Sequence, residues 1–168
     1  KGILNSLRLF YEGVKMRNRF LMPKAIFAFF ILSNIVIVHV TGESAMQSVK
    51  GKKAVMIIAS NNFRDEELLK PKEVLEKNGV AVTVASSSLK EATGMLGAKV
   101  KPDILFSDIN VADYDTVIFV GGSGANEYWD NPTAHKIAND ANNAKKIVGA
   151  ICIAPVTLAK AGLLKNKK

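Results

Sequence analysis

Short apolar runs alternate with amphipathic stretches along most of this chain. Residues 54–60, AVMIIAS, form a continuous apolar run, which is typical of a strand buried on both faces of a parallel sheet. In residues 64–79 the leucines and valines recur at helical spacing, and Asn78-Gly79 is a stop signal. Pro71 lies within this stretch, so we expect the helix to kink or restart there.

The same alternation continues toward the C-terminus. Further strands are predicted at 80–86, 114–120 and 147–152, and helices at 131–146 and 154–162. Residues 86–113 contain Gly94, Gly97 and Pro102, and they predict a small excursion with two short strands. Strands that alternate with helices predict an α/β fold, a doubly wound parallel sheet with helices on both faces.

The first 45 residues follow a different pattern. Residues 25–40 carry no formal charge, Arg17, Arg19 and Lys24 precede them, and small polar residues follow. This order is typical of a secretory signal peptide. A bilayer span needs about 20 apolar residues, so a cleavable signal is favoured over a retained anchor, with a buried core helix as the third reading. We expect an exported protein, periplasmic or extracellular, or one anchored in a membrane through residues 25–40.

These patterns predict two segments with different roles. Residues 1–45 form the signal peptide or anchor, with cleavage near Val40, Gly42 or Ala45, and residues 46–168 form the folded domain. The chain begins with Lys1, and signal peptides begin close to their basic region. We therefore expect the native start at Met16 or Met22, with residues 1–15 not native.

Composition narrows the classes of function. The net charge is +8, but no basic stripe interleaved with aromatic residues occurs, so nucleic-acid binding is not expected. A single cysteine, Cys152, excludes an internal disulfide and a multi-cysteine metal site. His39 and His135 lie far apart and show no zinc spacing. We expect no metal and no cofactor.

Three polar or glycine-rich segments follow predicted strands. They are residues 60–67 (SNNFRDEE), 121–129 (GGSGANEYW) and 152–155 (CIAP). Sites in parallel sheets gather beyond the carboxyl ends of the strands, so we expect these segments to meet.

Cys152 falls where a strand turns sharply into a helix. That is the arrangement of a nucleophile elbow, in which small neighbours, here Ala150 and Ala154, let the turn close. A sulfur at a helix N-terminus is favoured as the thiolate, which is the nucleophilic and the oxidisable form. The alternative is a packed core cysteine, which is the usual state of a lone cysteine in an apolar run.

The other two segments offer supporting groups. Backbone N–H groups at Gly121-Gly122, together with that of Ile153, could stabilise an oxyanion, although a glycine pair also suits a plain tight turn. Glu66 and Glu67 open the first helix, and a carboxyl group beside the thiolate could stay protonated and donate a hydrogen bond to sulfur. Two solvated acids are the alternative reading.

Together the stretches NNFRDEELLKP, VIFVGGSGA and AICIAP resemble the ThiJ/PfpI family, which includes the parkinsonism-associated protein deglycase. The resemblance runs from about Lys52 to Lys168. It implies a flavodoxin-like three-layer sandwich with a mostly parallel sheet, and a homodimer or larger assembly. Because the family continues beyond the position of Lys168, often with a histidine near the cysteine, the resemblance also implies that the C-terminal part of the domain is missing.

The resemblance also assigns roles within the three segments. It implies Cys152 as the reactive residue and Glu67, rather than Glu66, as its protonated partner. It implies Gly122 and Ile153 as backbone donors to an oxyanion, and Gly121 belongs to the supporting loop. His135 matches no catalytic position of the family.

Family activities differ, and the sequence favours one of them. Members include glutathione-independent glyoxalases, protein or nucleotide deglycases, peptidase-like hydrolases and redox-sensing chaperones. We expect an enzyme that acts on small reactive carbonyls or glycated adducts. The alternatives are a non-catalytic redox-sensing or chaperone-like module, and a peptidase or class I glutamine amidotransferase-like hydrolase. Many peptidase-like members carry a histidine directly after the cysteine, where this chain has Ile153, so that reading is weaker.

Overall fold

A computed structural model of the protein describes residues 48–166. The predicted signal or anchor segment and the predicted start residues lie outside that range and stay predictions. None of the helices between residues 48 and 166 has the length and hydropathy of a transmembrane helix.

Strands and helices alternate through the described range. In chain order the elements are β1 (Lys53–Ile58), β2 (Asn61–Phe63), α1 (Asp65–Lys77), β3 (Ala81–Ser86), β4 (Ala92–Gly94), β5 (Lys99–Val100), β6 (Ile104–Leu105), β7 (Thr116–Phe119), α2 (Pro132–Asn143), β8 (Ile147–Ala150) and α3 (Pro155–Lys160). Short 3₁₀ turns occupy Phe106–Asp108, Val111–Asp113 and Ser123–Tyr128.

The strands form two sheets. The main sheet is parallel and has the order β6-β3-β1-β7-β8, with β1 in the centre. The second sheet is small and has the order β2-β4-β5. The carboxyl ends of β1, β7 and β8 therefore lie side by side at one edge, which is where the three candidate segments begin.

Alternating residues of β1 serve two separate cores. Val55 and Ile57 pack with β7, α2 and α3 on one face of the sheet. Met56 and Ile58 pack on the other face, with Leu68 of α1 and with the small sheet. All five side chains are fully buried, and burying each one stabilises the fold by about 1.5–3 kcal/mol. The result is the flavodoxin-like three-layer α/β sandwich, which confirms the predicted fold class.

Two local predictions differ from the structure. Pro71 lies inside α1 but does not restart it, because one helix runs from Asp65 to Lys77. Proline removes only the hydrogen bond to the Glu67 carbonyl, and the buried Leu68 keeps this part of the helix on the sheet. The excursion after β3 holds three short strands rather than two, and β2 was not predicted, because its pairing with β4 joins segments distant in sequence.

Candidate active site

The three candidate segments meet in one open cleft at the carboxyl ends of the central strands. The cleft has a volume of about 420 Å³. Its lining residues are Arg64, Glu67, Met95, Gly122, Ser123, Cys152 and Ile153. The structure thus brings Cys152, Glu67, Gly122 and Ile153 together, as the sequence predicted, although their roles in catalysis stay predictions.

Cys152 adopts a backbone conformation that residues with a side chain rarely take. It follows the end of β8 by two residues, and its φ is 59°. Such a conformation costs on the order of 1–3 kcal/mol and persists only where the surrounding structure imposes it. Here the chain must turn from β8 into α3, which begins at Pro155, while Ala154 is buried beneath the turn. The thiol is exposed to solvent, so Cys152 is not a packed core residue.

Gly121 joins the carboxyl group of Glu67 to the cysteine turn. Its N–H donates to Glu67 Oε2 at 3.1 Å. A β-carbon at this position would lie 2.5 Å from that same oxygen and 2.8 Å from the β-carbon of Cys152. Only glycine therefore lets the carboxylate and the cysteine flank the backbone this closely.

Gly122 needs glycine for a different reason. Its φ is +97°, and a β-carbon there would lie 2.4 Å from both the Arg64 nitrogen and the Asn62 oxygen. The neighbouring carbonyl of Gly121 accepts a hydrogen bond from the Arg64 N–H at 2.9 Å. The glycine loop is thereby joined to the segment that leads into α1.

Three backbone N–H groups of the cleft-lining residues, those of Gly122, Cys152 and Ile153, have no acceptor within residues 48–166. Gly122 and Ile153 line the same cleft as Cys152. Backbone donors of this kind are what an oxyanion-stabilising site requires.

Glu66 and Glu67 take different environments. Glu66 forms an ion pair with Arg64, with 2.9 Å between Nε and Oε2, and half of its side chain is exposed. Glu67 is half-buried, lines the cleft and accepts from Gly121. The choice of Glu67 over Glu66 therefore agrees with the geometry. The predicted hydrogen bond from Glu67 to the sulfur is not formed in this structure, in which Gly121 is the partner of Glu67.

Tyr128 holds the glycine-rich loop against the central strand. Its side chain is buried, and its hydroxyl donates to the Ile58 carbonyl at the end of β1, over 2.8 Å. Burial, with a smaller contribution from Glu127, raises the pKa of Tyr128 well above its ordinary value. The phenol therefore stays protonated and keeps this hydrogen bond throughout the physiological pH range.

Asp65 positions another wall of the cleft. Its carboxylate accepts from the N–H groups of Leu96 at 2.9 Å and Ala98 at 2.7 Å. Burial works to raise the pKa of Asp65, but these hydrogen bonds together with Arg64 outweigh it, so that the pKa lies below its ordinary value. The same turn carries Met95, whose sulfur accepts from the Ser123 N–H.

Sequence reasoning missed three lining residues. Arg64 stood inside the first candidate segment, and Ser123 follows Gly122 directly, so position after a strand end could have indicated both. Met95 lies in the turn that follows β4, which is held by Asp65 through Leu96 and Ala98 and by the Phe63 carbonyl, which accepts from the Met95 N–H at 2.8 Å. Nothing in the sequence around Met95 indicates that contact.

The two histidines stay outside the candidate chemistry. His39 lies outside the described residues. His135 lies on α2, with 2.7 Å between its Nε2 and the Trp129 carbonyl oxygen, and it does not line the cleft. Residues 48–166 contain no cluster of three or more His, Cys, Asp or Glu side chains that could hold a metal ion.

Comparison with known families decides where this elbow belongs. The DJ-1/PfpI family profile matches residues 52–168, which include the whole described sheet and the cleft. The chain belongs to the DJ-1/PfpI family. This confirms the resemblance drawn from the three sequence segments, since DJ-1/PfpI and ThiJ/PfpI name the same group of proteins.

Individual relatives support the assignment. An uncharacterized protein of Methanocaldococcus jannaschii is 43% identical over 123 residues, which cover 73% of this chain and 60% of that protein. The deglycase PfpI of Pyrococcus furiosus is 32% identical over 114 residues, covering 68% of this chain and 69% of the relative. The chain thus spans about three fifths to two thirds of these relatives.

A solved structure has the same fold. The ThiJ/PfpI domain protein of Brachyspira murdochii superposes with a TM-score of 0.66 at 32% identity. The match covers 68% of this chain and 66% of that one.

Proposed function

We propose that this protein is a cysteine-dependent enzyme that acts on small reactive carbonyl compounds or on their adducts, in the manner of a glyoxalase or deglycase. One observation carries the proposal. Cys152 is held exposed at a φ of 59° in a cleft that also contains the Glu67 carboxyl group and the N–H groups of Gly122 and Ile153, which have no acceptor within residues 48–166.

The arrangement suits addition of a thiolate to an aldehyde. The Cys152 sulfur attacks the aldehyde carbon of methylglyoxal, and the carbonyl oxygen that becomes negative is held by the Gly122 and Ile153 N–H groups. Glu67 then removes the proton from that carbon and returns a proton to the neighbouring carbon, which isomerises the hemithioacetal to a thioester. Water hydrolyses the thioester, so methylglyoxal plus water gives lactate and the free thiol.

The names of relatives support this class. The Pyrococcus furiosus relative is called a deglycase. A Caenorhabditis elegans relative, 24% identical over 116 residues, is called a glutathione-independent glyoxalase. The substrate of the present chain is part of our proposal.

Lactate formation from methylglyoxal tests the proposal. The full chain should form lactate, and Cys152→Ala should reduce the rate to background while leaving the fold intact by circular dichroism. A wild-type rate equal to that of Cys152→Ala would overturn the proposal for this substrate class. Glycated peptides serve as the second substrate, because deglycation uses the same thiol.

The exposed thiol favours a second candidate function, redox sensing. A Toxoplasma gondii DJ-1 structure described as oxidized is 28% identical, with a TM-score of 0.64. Under this candidate, peroxide converts Cys152 to the sulfinate, which the same backbone N–H groups hold. Intact mass after mild peroxide should show two added oxygens. No such addition in wild type, or an equal addition in Cys152→Ala, would contradict it.

The peptidase reading has less support. A Bacillus subtilis relative, 31% identical over 116 residues, is called a putative cysteine protease. In this chain Ile153 follows the cysteine, and no histidine of residues 48–166 lines the cleft. A peptidase mechanism would lack an imidazole base among these residues.

Two further proposals concern the whole protein. We propose that it is exported or membrane-anchored through residues 25–40, and that it forms a homodimer or larger assembly. N-terminal sequencing of the natural product tests the first proposal, and light scattering behind size-exclusion chromatography tests the second.

A further inference from the structure

Lysines that are far apart in the sequence lie close together at the amino ends of the central strands, opposite the cleft. Strands β1, β7 and β8 begin at this end of the sheet, and backbone hydrogen bonds join their starts. The Lys53 carbonyl accepts from the Asp115 N–H at 2.8 Å, and the Asp115 carbonyl accepts from the Ile147 N–H at 3.1 Å. Residues far apart along the chain thus become neighbours. We name this surface the lysine face, and its members are Lys50, Lys52, Lys53, Lys145 and Lys146.

The lysine face carries a net positive charge. Its five lysines surround one acid, Asp115, which accepts from Lys52 Nζ at 3.1 Å and from the Lys53 N–H at 2.9 Å. The acids on the adjacent turn of α1 are already paired, Glu73 with Lys77 and Glu76 with Lys72. Within residues 48–166, four of the five lysines on this face therefore form no salt bridge with an acidic side chain.

Apolar side chains lie among these charges. A groove of about 530 Å³ opens on the face and is lined by both lysines and apolar side chains, including Val49, Leu75 and Val80. Ile147 borders the same groove and is 68% exposed, and Val49 is 46% exposed. Exposed aliphatic groups within a cationic surface are typical of segments that bind at a membrane interface.

The chain enters the domain at the same face. Ser48 and Val49 line the groove, and residues 41–47 connect them to the uncharged stretch 25–40. The described chain therefore begins at the lysine face, at the end of the sheet opposite the cleft.

We propose that the lysine face binds the headgroups of an anionic lipid bilayer, with Ile147 and Val49 entering the interface between headgroups and acyl chains. Anionic headgroups complement the unpaired lysines, and the bilayer takes up the exposed aliphatic groups. Among residues 48–166, none of those that line the groove is aromatic, so the groove offers no ring that could stack on bases. The cleft with Cys152 then faces away from the membrane, toward soluble substrate. This proposal does not depend on the proposed function.

Vesicle partitioning of the full chain tests the proposal. Its measure is the ratio of partition coefficients for phosphatidylcholine vesicles with and without phosphatidylglycerol. Comparison of each variant with wild type cancels the contribution of residues 1–47, which all the proteins share. We expect a ratio well above one that falls as salt is added. Lys145→Gln/Lys146→Gln should lower the ratio roughly tenfold or more. The matched control Lys90→Gln/Lys99→Gln removes the same charge far from the face and should leave the ratio within about twofold.

The outcomes separate the alternatives. A ratio near one for wild type overturns the proposal, as does an equal loss in the two double variants, which would indicate an effect of net charge alone. Equal binding of polyphosphate or duplex DNA, competing fully with the vesicles, would replace the lipid by a general polyanion. Unchanged melting temperatures in both variants exclude misfolding as the cause of a loss.

Discussion

At residue scale, the geometry of the candidate site depends on one glycine, Gly121, which lies between the Glu67 carboxyl group and Cys152. The Gly121 N–H donates to Glu67 Oε2. A β-carbon added at Gly121 would lie only 2.5 Å from that oxygen and 2.8 Å from the Cys152 β-carbon. Sequence alone left Gly121-Gly122 as either an oxyanion loop or a plain turn. The distances show that a side chain at Gly121 would displace the candidate acid from the cysteine.

Gly121→Ala should therefore reduce activity on methylglyoxal by about 10²-fold, because a displacement of about 1 Å at a reacting group has that effect. The matched control is Gly149→Ala on β8, where the added β-carbon meets its nearest atom at an ordinary 3.7 Å. Steady-state lactate formation and thermal unfolding measure both variants. Equal activity of the two would contradict the assigned geometry.

The two neighbouring glutamates provide a second test at this scale. Glu67→Gln retains the size of the side chain but removes the carboxyl group that would carry the proton between the two substrate carbons, so kcat should fall by about 10²- to 10⁴-fold. Glu66→Gln breaks only the exposed pair with Arg64 and should change kcat little. Stopped-flow or steady-state kinetics measure both variants. Equal rates for Glu67→Gln and Glu66→Gln would contradict the role of Glu67.

At the scale of elements, the start of α1 positions the turn after β4. Asp65 accepts from two N–H groups of that turn, at Leu96 and Ala98, and Met95 beside them reaches the cleft. Gly94 also approaches Asp65, since a β-carbon there would lie 2.5 Å from its carboxylate. Helix and turn therefore act as one unit that shapes the wall of the site.

The pH dependence of stability should report on this contact. The pKa of Asp65 in the folded protein lies below its ordinary value of 3.8, so its contribution to stability is complete above that pH and is lost as the pH falls through the lower, folded value. Thermal unfolding measured from neutral pH into this acidic range should show a shallower acid dependence for Asp65→Asn, with a lower melting temperature at neutral pH. Asp130→Asn, at an exposed pair with Lys160, is the control. Curves for Asp65→Asn that parallel wild type would contradict the assignment.

Strand β8 occupies one end of the main sheet, with β7 as its partner within residues 48–166. Exposed strands with aliphatic side chains pair readily with other chains, and a lysine on the strand opposes this. Ile147→Lys should therefore lower self-association of the protein, measured as the concentration dependence of its sedimentation velocity. Leu89→Lys, an exposed aliphatic position beyond β3, is the matched control. An equal effect of both variants would show that added charge, rather than the strand edge, is responsible.

At the scale of the whole molecule, the parallel sheet separates two surfaces with different chemistry. The carboxyl ends of the strands carry the cleft with Cys152, and the amino ends carry the lysine face. The rigid core of β1 and β7 lies between them. Changes at one end should therefore leave the other unaffected.

Independence of the two ends can be measured directly. Cys152→Ala should abolish lactate formation but retain wild-type partitioning to anionic vesicles. Lys145→Gln/Lys146→Gln should lose that partitioning but keep kcat/KM within about twofold, because additivity holds for distant sites. Loss of both properties in either variant, without a change in melting temperature, would contradict this separation.

Much of the fold followed from local sequence pattern. The apolar run of β1, the helical spacing of α1 and the stop at Asn78 depend on neighbouring residues, which is why they were predicted within a few positions. Strand β2 was missed because its pairing with β4 spans about thirty residues that no local pattern records. The disruptive effect of Pro71 on α1 was overestimated, because burial of Leu68 outweighs the loss of one helical hydrogen bond.

By itself, the sequence determined the α/β class, the order of the elements and the presence of three chemically suited segments after strand ends, because periodicity and turn residues act locally. Only the tertiary structure decided that Cys152 is exposed rather than packed and that Met95 lines the cleft. It agrees with the choice of Glu67 over Glu66 that the family resemblance had implied. The tertiary structure also brings together the lysines of the lysine face, which lie almost a hundred positions apart in the sequence. Burial and proximity arise from how distant strands pair, and that pairing is a property of the whole sheet.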